Sequence, residues 1–280
     1  MRLFALEAQK TFRRWRTYIG FAAVAGAVIL LEIIIKMNEA TMAKGFAGNL
    51  NTDFLVSGNI LNVWTITTFV MNSLYIHVPF LITLVAGDMV SSEGMSGTIR
   101  FLLIRPPSRA RIIFSKYIMM LFYTAALIVF LAVLCIGIGL AFFGSGDVIH
   151  VQPGIPHIVI LPEHIAASRT LLAFLAAILS MSVVGSLAFL FSTLVDNSIG
   201  PIIGSMAVVI IFLIVGNLPF ESLEAVRPYL FTTYMNIWQL FLDDPINWGE
   251  VGKYSLALLG HDALFFAVSY FVFLRKDIKS

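Results

Sequence analysis

Seven residues of one polar stretch have types and spacing suited to docking and ion pairing: Glu93, Gly97, Thr98, Arg100, Pro106, Ser108 and Arg109. The stretch, 88–116, separates two long apolar runs and carries five cations: Arg100, Arg105, Arg109, Arg111 and Lys116. Glu93 sits in a short helical segment that Gly94 or Gly97 can end. Thr98 can cap a second short helix, because its hydroxyl accepts a backbone N–H. Pro106-Pro107 stops that helix, and Ser108 is a good N-cap for the next one. The expected product is a compact helix–turn–helix foot. Positive charge alone would mark a cytoplasmic side; it does not account for Glu93, the two glycines or the double proline.

A second set lies inside apolar runs, where ionisable groups are costly. Asn72 and His77 share one run, His261 and Asp262 another, and Glu32 lies in a third. His261-Asp262 falls about 12 Å into its run at helical rise. Asn72, His77, His261 and Asp262 suit either hydrogen bonds between helices or a polar pathway lining with a proton relay. Pro79 can open a kink beside His77. Glu32 precedes Lys36 by four residues, which suits a helical ion pair. His150, His157 and His164 recur every seven residues and are weak metal-ligand candidates. Pro153, Pro156 and Pro162 exclude a continuous helix that would align them, and the short-spaced ligand pair of a zinc site is lacking. A solvated loop is the expectation there. The sequence contains no Gly-x4-Gly-Lys-[Ser/Thr] phosphate loop, so energy for transport would come from a partner or an ion gradient.

These residues require a membrane to position them. Of 280 residues, 59% are hydrophobic and 12% charged, half the charged share of a soluble domain; mean hydropathy is +0.92. A net charge of +2 is too small to indicate nucleic acid as a partner. The single cysteine, Cys135, lies in an apolar run and excludes a disulfide framework. The basic N-terminus is no signal peptide, since the run after it is long enough to span and lacks a small-residue cleavage pattern. A span needs about 20 apolar residues, which predicts six: 18–35, 64–87, 112–143, 166–191, 200–216 and 254–274. With both termini inside, 13 of the 18 lysines and arginines are cytoplasmic, as the positive-inside rule requires. Residues 1–17 mix Leu3, Phe4, Leu6, Phe12 and Trp15 with Lys10, Arg13, Arg14 and Arg16, the pattern of an interfacial helix lying on anionic lipid. Residues 217–253 are an outer segment that is still apolar, and read as one or two short helices dipping into the outer leaflet and packed on the fifth and sixth spans. Gly185, Ser182 and Ser186, and Gly200-x3-Gly204, allow close helix approach.

Glu93, Gly97-Thr98, Leu102-Leu103, Pro106 and Ser108-Arg109 stand in the order Glu-x3-Gly-Thr-x3-Leu-Leu-x2-Pro-x-Ser-Arg. This resembles the first cytoplasmic loop of ABC-2-type transporter permeases, the membrane subunits of ATP-driven exporters. The amphipathic start, the six runs, the apolar outer segment and the ending Phe273-Leu-Arg275-Lys276-Asp277-Ile278 extend the likeness over the chain. The resemblance implies one all-α integral membrane domain over 1–280, with an interfacial helix (1–17), a coupling loop (88–111) and re-entrant helices (217–253). It implies a permease without catalysis of its own, in the cell membrane, docked on a pair of soluble ATPase subunits that hold ATP and magnesium. Glu93 and its neighbours would then face the ATPase, and Arg109 would brace the third span. A second copy or a homologous permease would complete the pathway. An amphiphilic peptide, antibiotic or lipid-linked molecule would suit the polar second run and aromatic outer segment. The rival readings are a proton-coupled secondary transporter and an intramembrane enzyme using His77 and His261-Asp262 as acid and base, or an assembly factor without transport.

Overall fold

The computed structural model describes residues 2–42, 61–95, 108–151 and 158–276. In chain order these form α1 (Arg2–Phe12), α2 (Trp15–Met37), α3 (Val63–Ser73), α4 (His77–Ala86), α5 (Ser91–Met95) and α6 (Arg109–Phe143). A hairpin follows, β1 (Val148–Val151) and β2 (Ile158–Leu161), then α7 (Glu163–Leu194) and α8 (Ile199–Asn217). Three 3-10 segments, Glu221–Leu223, Arg227–Tyr229 and Phe231–Phe241, lead into α9 (Trp248–Arg275).

Five of these helices, α2, α6, α7, α8 and α9, are long and apolar enough to cross a membrane. Each contains one run read from sequence and extends it at one end or both. Their outward faces carry exposed Leu30, Val133, Ile203 and Leu256. Apolar surface on this scale is what lipid, rather than water, solvates.

The run at 64–87 is not one rod. It is α3 and α4, bent by 61° at the break between them. Four side chains before and at the joint compete for backbone carbonyls: Thr68 Oγ1 donates to Trp64 O at 3.0 Å, Asn72 Nδ2 to Thr68 O at 3.2 Å, Ser73 Oγ to Phe69 O at 2.9 Å, and His77 Nδ1 lies 3.2 Å from Ser73 O. Such bonds bend helices. Pro79 falls in the first turn of α4, where a missing N–H is no loss, so the bend precedes the proline rather than following it.

α7 is the central helix. It packs against α4, α6, α8, α9 and the last 3-10 segment. Gly185 makes one of these contacts possible: a Cβ there would lie 2.5 Å from Met120 Sδ of α6. The 3-10 segment Phe231–Phe241 buries Met235, Trp238 and Phe241, which three-residue spacing puts on one stripe. It lies against α8 and α9, as its apolar character suggests, but its main neighbour is α7, the fourth predicted span. Where a solvated loop was expected, an antiparallel hairpin pairs Val148 with Leu161 and His150 with Val159. Its anchor is apolar, since Val148 and Leu161 are fully buried. At this hairpin end of the bundle Asn62 caps α3 through Trp64 N and Thr65 N and donates to Asp147 O at 2.7 Å. Both described chain ends, α1 and the C-terminus of α9, lie at the opposite end, where an ion-pair belt closes the bundle.

Candidate functional site

The polar stretch read from sequence meets the bundle at that belt. α1 turns Phe4, Ala8 and Phe12 towards the core, with Phe4 edge-on to Phe122 of α6. The same face carries Glu7, 8% exposed. Opposite it stands Lys116, two turns into α6 and 1% exposed. A buried ammonium is tolerated only when its three N–H donors are paired. Lys116 Nζ has three acceptors: Glu7 Oε2 at 2.9 Å, Glu93 Oε1 at 2.8 Å and Met89 O at 3.1 Å. Lys10 closes the square, 3.1 Å from Glu7 Oε1 and 3.2 Å from Glu93 Oε1. Two carboxylates and two ammonium groups thus form a neutral tetrad joining α1, α5 and α6. Burial works to raise the Glu93 carboxyl, but Lys116 and then Lys10 outweigh it and hold it below the ordinary carboxylate range. Burial works to lower the Lys10 ammonium, and the Glu93 and Glu7 charges outweigh that, leaving it raised.

Further bonds extend the belt. Asp88 accepts from Arg14 at 2.8 Å and Arg16 at 2.7 Å, and Arg14 also donates to Ser92 Oγ at 2.9 Å. Ser192 of α7 accepts from Val90 N and Ser91 N, both at 3.0 Å, and so fixes the start of α5. Ser108 is the N-cap of α6, its Oγ accepting from Arg111 N. Arg109 reaches across to the end of α9, where Nη1 donates to Leu274 O at 3.2 Å and Lys276 O at 3.1 Å. A cation suits these last carbonyls, which carry the negative end of the helix dipole. Lys276 in turn donates to Thr193 O at 3.0 Å and pairs with Asp196 at 2.6 Å.

Of the seven loop residues, Glu93, Ser108 and Arg109 therefore belong to the belt. Gly97, Thr98, Arg100 and Pro106 lie outside the described residues. Glu93 is 4% exposed, because the two lysines draw its carboxylate inwards, and it forms a joint between elements. The partners Glu7, Lys10, Asp88 and Lys116 were not singled out as a site from sequence. One signal was available, a lysine at the head of an apolar run, which implies a carboxylate near it.

The residues expected along a pathway are dispersed. Neighbouring helical positions point about 100° apart, and His261 and Asp262 accordingly meet different elements. His261 Nδ1 lies 2.7 Å from Ala257 O, and Nε2 lies 3.2 Å from Tyr229 O. Asp262, 8% exposed, accepts from Ser182 Oγ and from Ser186 Oγ (2.6 Å), and Ser186 meets Tyr117 OH at 2.9 Å. This buried cluster joins α6, α7 and α9. His77 is exposed at the joint below α3, beside an apolar hollow between α2 and α4. Asn72 Oδ1 accepts from Gln239 Nε2 at 3.0 Å, across to the last 3-10 segment. The Glu32–Lys36 pair does not form. Lys36 pairs instead with Glu39, 2.8 Å away, and lies over the Phe143 ring, whereas Glu32 is fully buried, and neither of its oxygens has a hydrogen-bond partner among the described residues. His150 is in β1, His164 is exposed at the start of α7, and His157 lies outside the described residues. Among the described residues no three metal-ligating side chains come together.

The chain belongs to the family described as "Protein of unknown function (DUF2705)", whose pattern it matches over residues 24–279. It is also similar to the uncharacterized protein YhcI of Bacillus subtilis (strain 168), with 28% identity over 241 residues, covering 81% of this chain and 74% of that protein. The family match takes in Asp88, Glu93 and Lys116 and begins after α1, so the other half of the tetrad, Glu7 and Lys10, precedes it.

Proposed function

We propose that this DUF2705 member is the membrane-spanning permease subunit of an ATP-driven exporter of the ABC-2 type. It would dock a separate pair of soluble ATPase subunits, which hold ATP and magnesium, and work with a second copy or a homologous permease. In this reading α3 and α4 together form the second of six spans, the belt faces the cytoplasm with both chain ends, and 217–253 is the re-entrant segment. The substrate is an amphiphilic peptide, antibiotic or lipid-linked molecule.

One observation carries the proposal beyond the loop resemblance. Residues 96–107, which hold the Gly97-Thr98 and Pro106 part of the pattern, run between two anchored points. α5 is tied to α1, α6 and α7 through Glu93, Ser92 and the Val90 and Ser91 amides. The start of α6 is tied to α9 through Arg109. A force applied to that stretch by a motor is delivered at once to four helices. Glu93 and Arg109 act here as positioning residues, transmitting the displacement without touching the ATPase.

The test is purification of the chain in mild detergent from cells expressing its genomic neighbours. A soluble ATPase should co-purify, and its hydrolysis should rise when the chain is added. Glu93→Gln and Arg109→Ala should uncouple hydrolysis from transport and leave membrane insertion unchanged. Unaltered coupling with both residues replaced would refute the lever.

A second reading, a proton-coupled carrier, draws on Asp262 buried among hydroxyls and Glu32 buried without a hydrogen-bond partner among the described residues. It requires transport that collapses with the proton gradient, needs no ATPase and is lost in Asp262→Asn.

A further inference from the structure

A cavity of about 330 Å³ opens between α3, α8 and the last 3-10 segment. Its polar wall is Asn72, Asn217, Thr232, Thr233, Asn236 and Gln239. Tyr75, Phe212 and Leu213 supply an apolar flank, and among the described residues no charged side chain lines it. Four amide side chains at one site are unusual in a chain so apolar, and they are only partly engaged. Gln239 Nε2 donates to Asn72 Oδ1, Asn72 Nδ2 to Thr68 O and Asn217 Nδ2 to Leu213 O. These bonds use amide donors and leave the Gln239 and Asn217 carbonyl oxygens, and both ends of exposed Asn236, for a guest. Thr232 adds an independent sign. It is 5% exposed, and its Oγ1 has no hydrogen-bond partner among the described residues. A buried hydroxyl left unmatched is costly; Oγ1 has no surface on the cavity as it stands, and a turn of the Thr232 side chain, which lines the wall, would offer it to a ligand there.

We infer that the cavity binds the uncharged, hydroxyl-bearing head group of an amphiphile, a single sugar on a lipid. A charged head group would enter without a counter-charge, at a cost of several kcal/mol in low dielectric. Hydroxyls donate and accept, as the amide wall does, and the Tyr75 and Phe212 rings offer an apolar face to one side of a sugar ring. The volume falls within the range of small-molecule pockets, about 300–1,000 Å³. The tail has a route: Ile211 and Ile214, on the turns of α8 that border the cavity, are exposed on its outer face. This inference rests on the permease reading only in calling the amphiphile a substrate; the binding itself needs no ATPase.

The test uses the chain alone in phosphatidylcholine nanodiscs, titrated with fluorescent monoglucosyl diacylglycerol. The same fluorophore on phosphatidylglycerol, and a neutral labelled peptide, are the comparisons. The glucosyl lipid should saturate. Thr232→Val should weaken it about fivefold, the loss expected for one hydrogen bond of about 1 kcal/mol. Asn236→Leu should weaken it further, while Thr232→Ser, which keeps the hydroxyl, retains affinity and controls for folding. Absence of saturation, preference for the anionic lipid or the peptide, or affinity unmoved in Thr232→Val and Asn236→Leu overturns the inference. Saturable binding in a chain that no ATPase engages would keep the site and remove the exporter; stimulation of an ATPase without binding would do the reverse.

Discussion

Replacing Lys116 by methionine keeps most of the side-chain volume and removes one charge from the tetrad. At 2.8 Å from Glu93 and an effective dielectric constant of about 20, that contact carries about 6 kcal/mol of attraction, and the Glu7 contact at 2.9 Å a similar amount. Desolvation of the ammonium offsets most of this. What remains is asymmetric. Once Lys116 is gone, Glu7 and Glu93 face each other inside the belt with Lys10 alone between them. Removing one partner of a buried pair costs about 3–5 kcal/mol, which for a chain of this size lowers the melting temperature by about 10 °C. Glu93→Gln in the same chain removes the surplus negative charge. The double variant Lys116→Met/Glu93→Gln should therefore melt well above the sum of its single losses, with a coupling of at least about 2 kcal/mol. Fluorescence-monitored unfolding of the four proteins in one detergent reads this. If Lys116→Met melts within 2 °C of the parent by about the accuracy of such scans, or if the two losses simply add, the tetrad is not what fastens α1 to α6.

The tetrad also sets a pH window. Glu93 is held below its ordinary range, so its contribution is present above the unfolded carboxylate value of about 4.3 and is lost as pH falls through the folded one. Lys10 is raised, so its contribution is present below about 10.4 and is lost as pH rises through its folded value. Electron–electron distances between spin labels at exposed Gln9 and Arg111 should stay narrow between those limits and broaden beyond either. Asp262→Asn should cost under about 1.5 kcal/mol, since an amide still accepts from one serine; Asp262→Leu should cost about 2–4 kcal/mol by orphaning the Ser182 and Ser186 hydroxyls, and a pair of melting curves separates them. Gly185→Leu, which drives a side chain into Met120, should cost at least about 1–3 kcal/mol and lower the folded yield on size exclusion.

The long helices were legible because lipid imposes a simple rule, about 20 apolar residues in a row, and the sequence obeys it at α2, α6, α7, α8 and α9. The joint between α3 and α4 was half legible. Pro79 pointed to the neighbourhood, while the residues that bend the chain, Thr68, Asn72, Ser73 and His77, do so through carbonyl bonds that composition does not display. The hairpin hid for a different reason. Val148-Ile-His-Val151 and Ile158-Val-Ile-Leu161 are largely β-branched runs of strand length, but the two prolines and the histidine between them read as open loop. The tetrad was the least legible part. Lys10 and Glu93 are 83 positions apart, and Glu7 and Lys116 are 109 apart, so local spacing carries no trace of either pair.

The bend in the second run changes how motion passes through the bundle. α3 is bolted at the hairpin end by Asn62 and by the Val63 N–H donated to Gly144 O, and the segment after α4 is bolted to the belt by Asp88 and Glu93. A straight rod fixed at both ends would only carry thrust along its axis. A rod broken in the middle works as an elbow: a small shift of the belt becomes a change of angle at Leu74–Ile76, and Asn72, two residues from that elbow, swings with it.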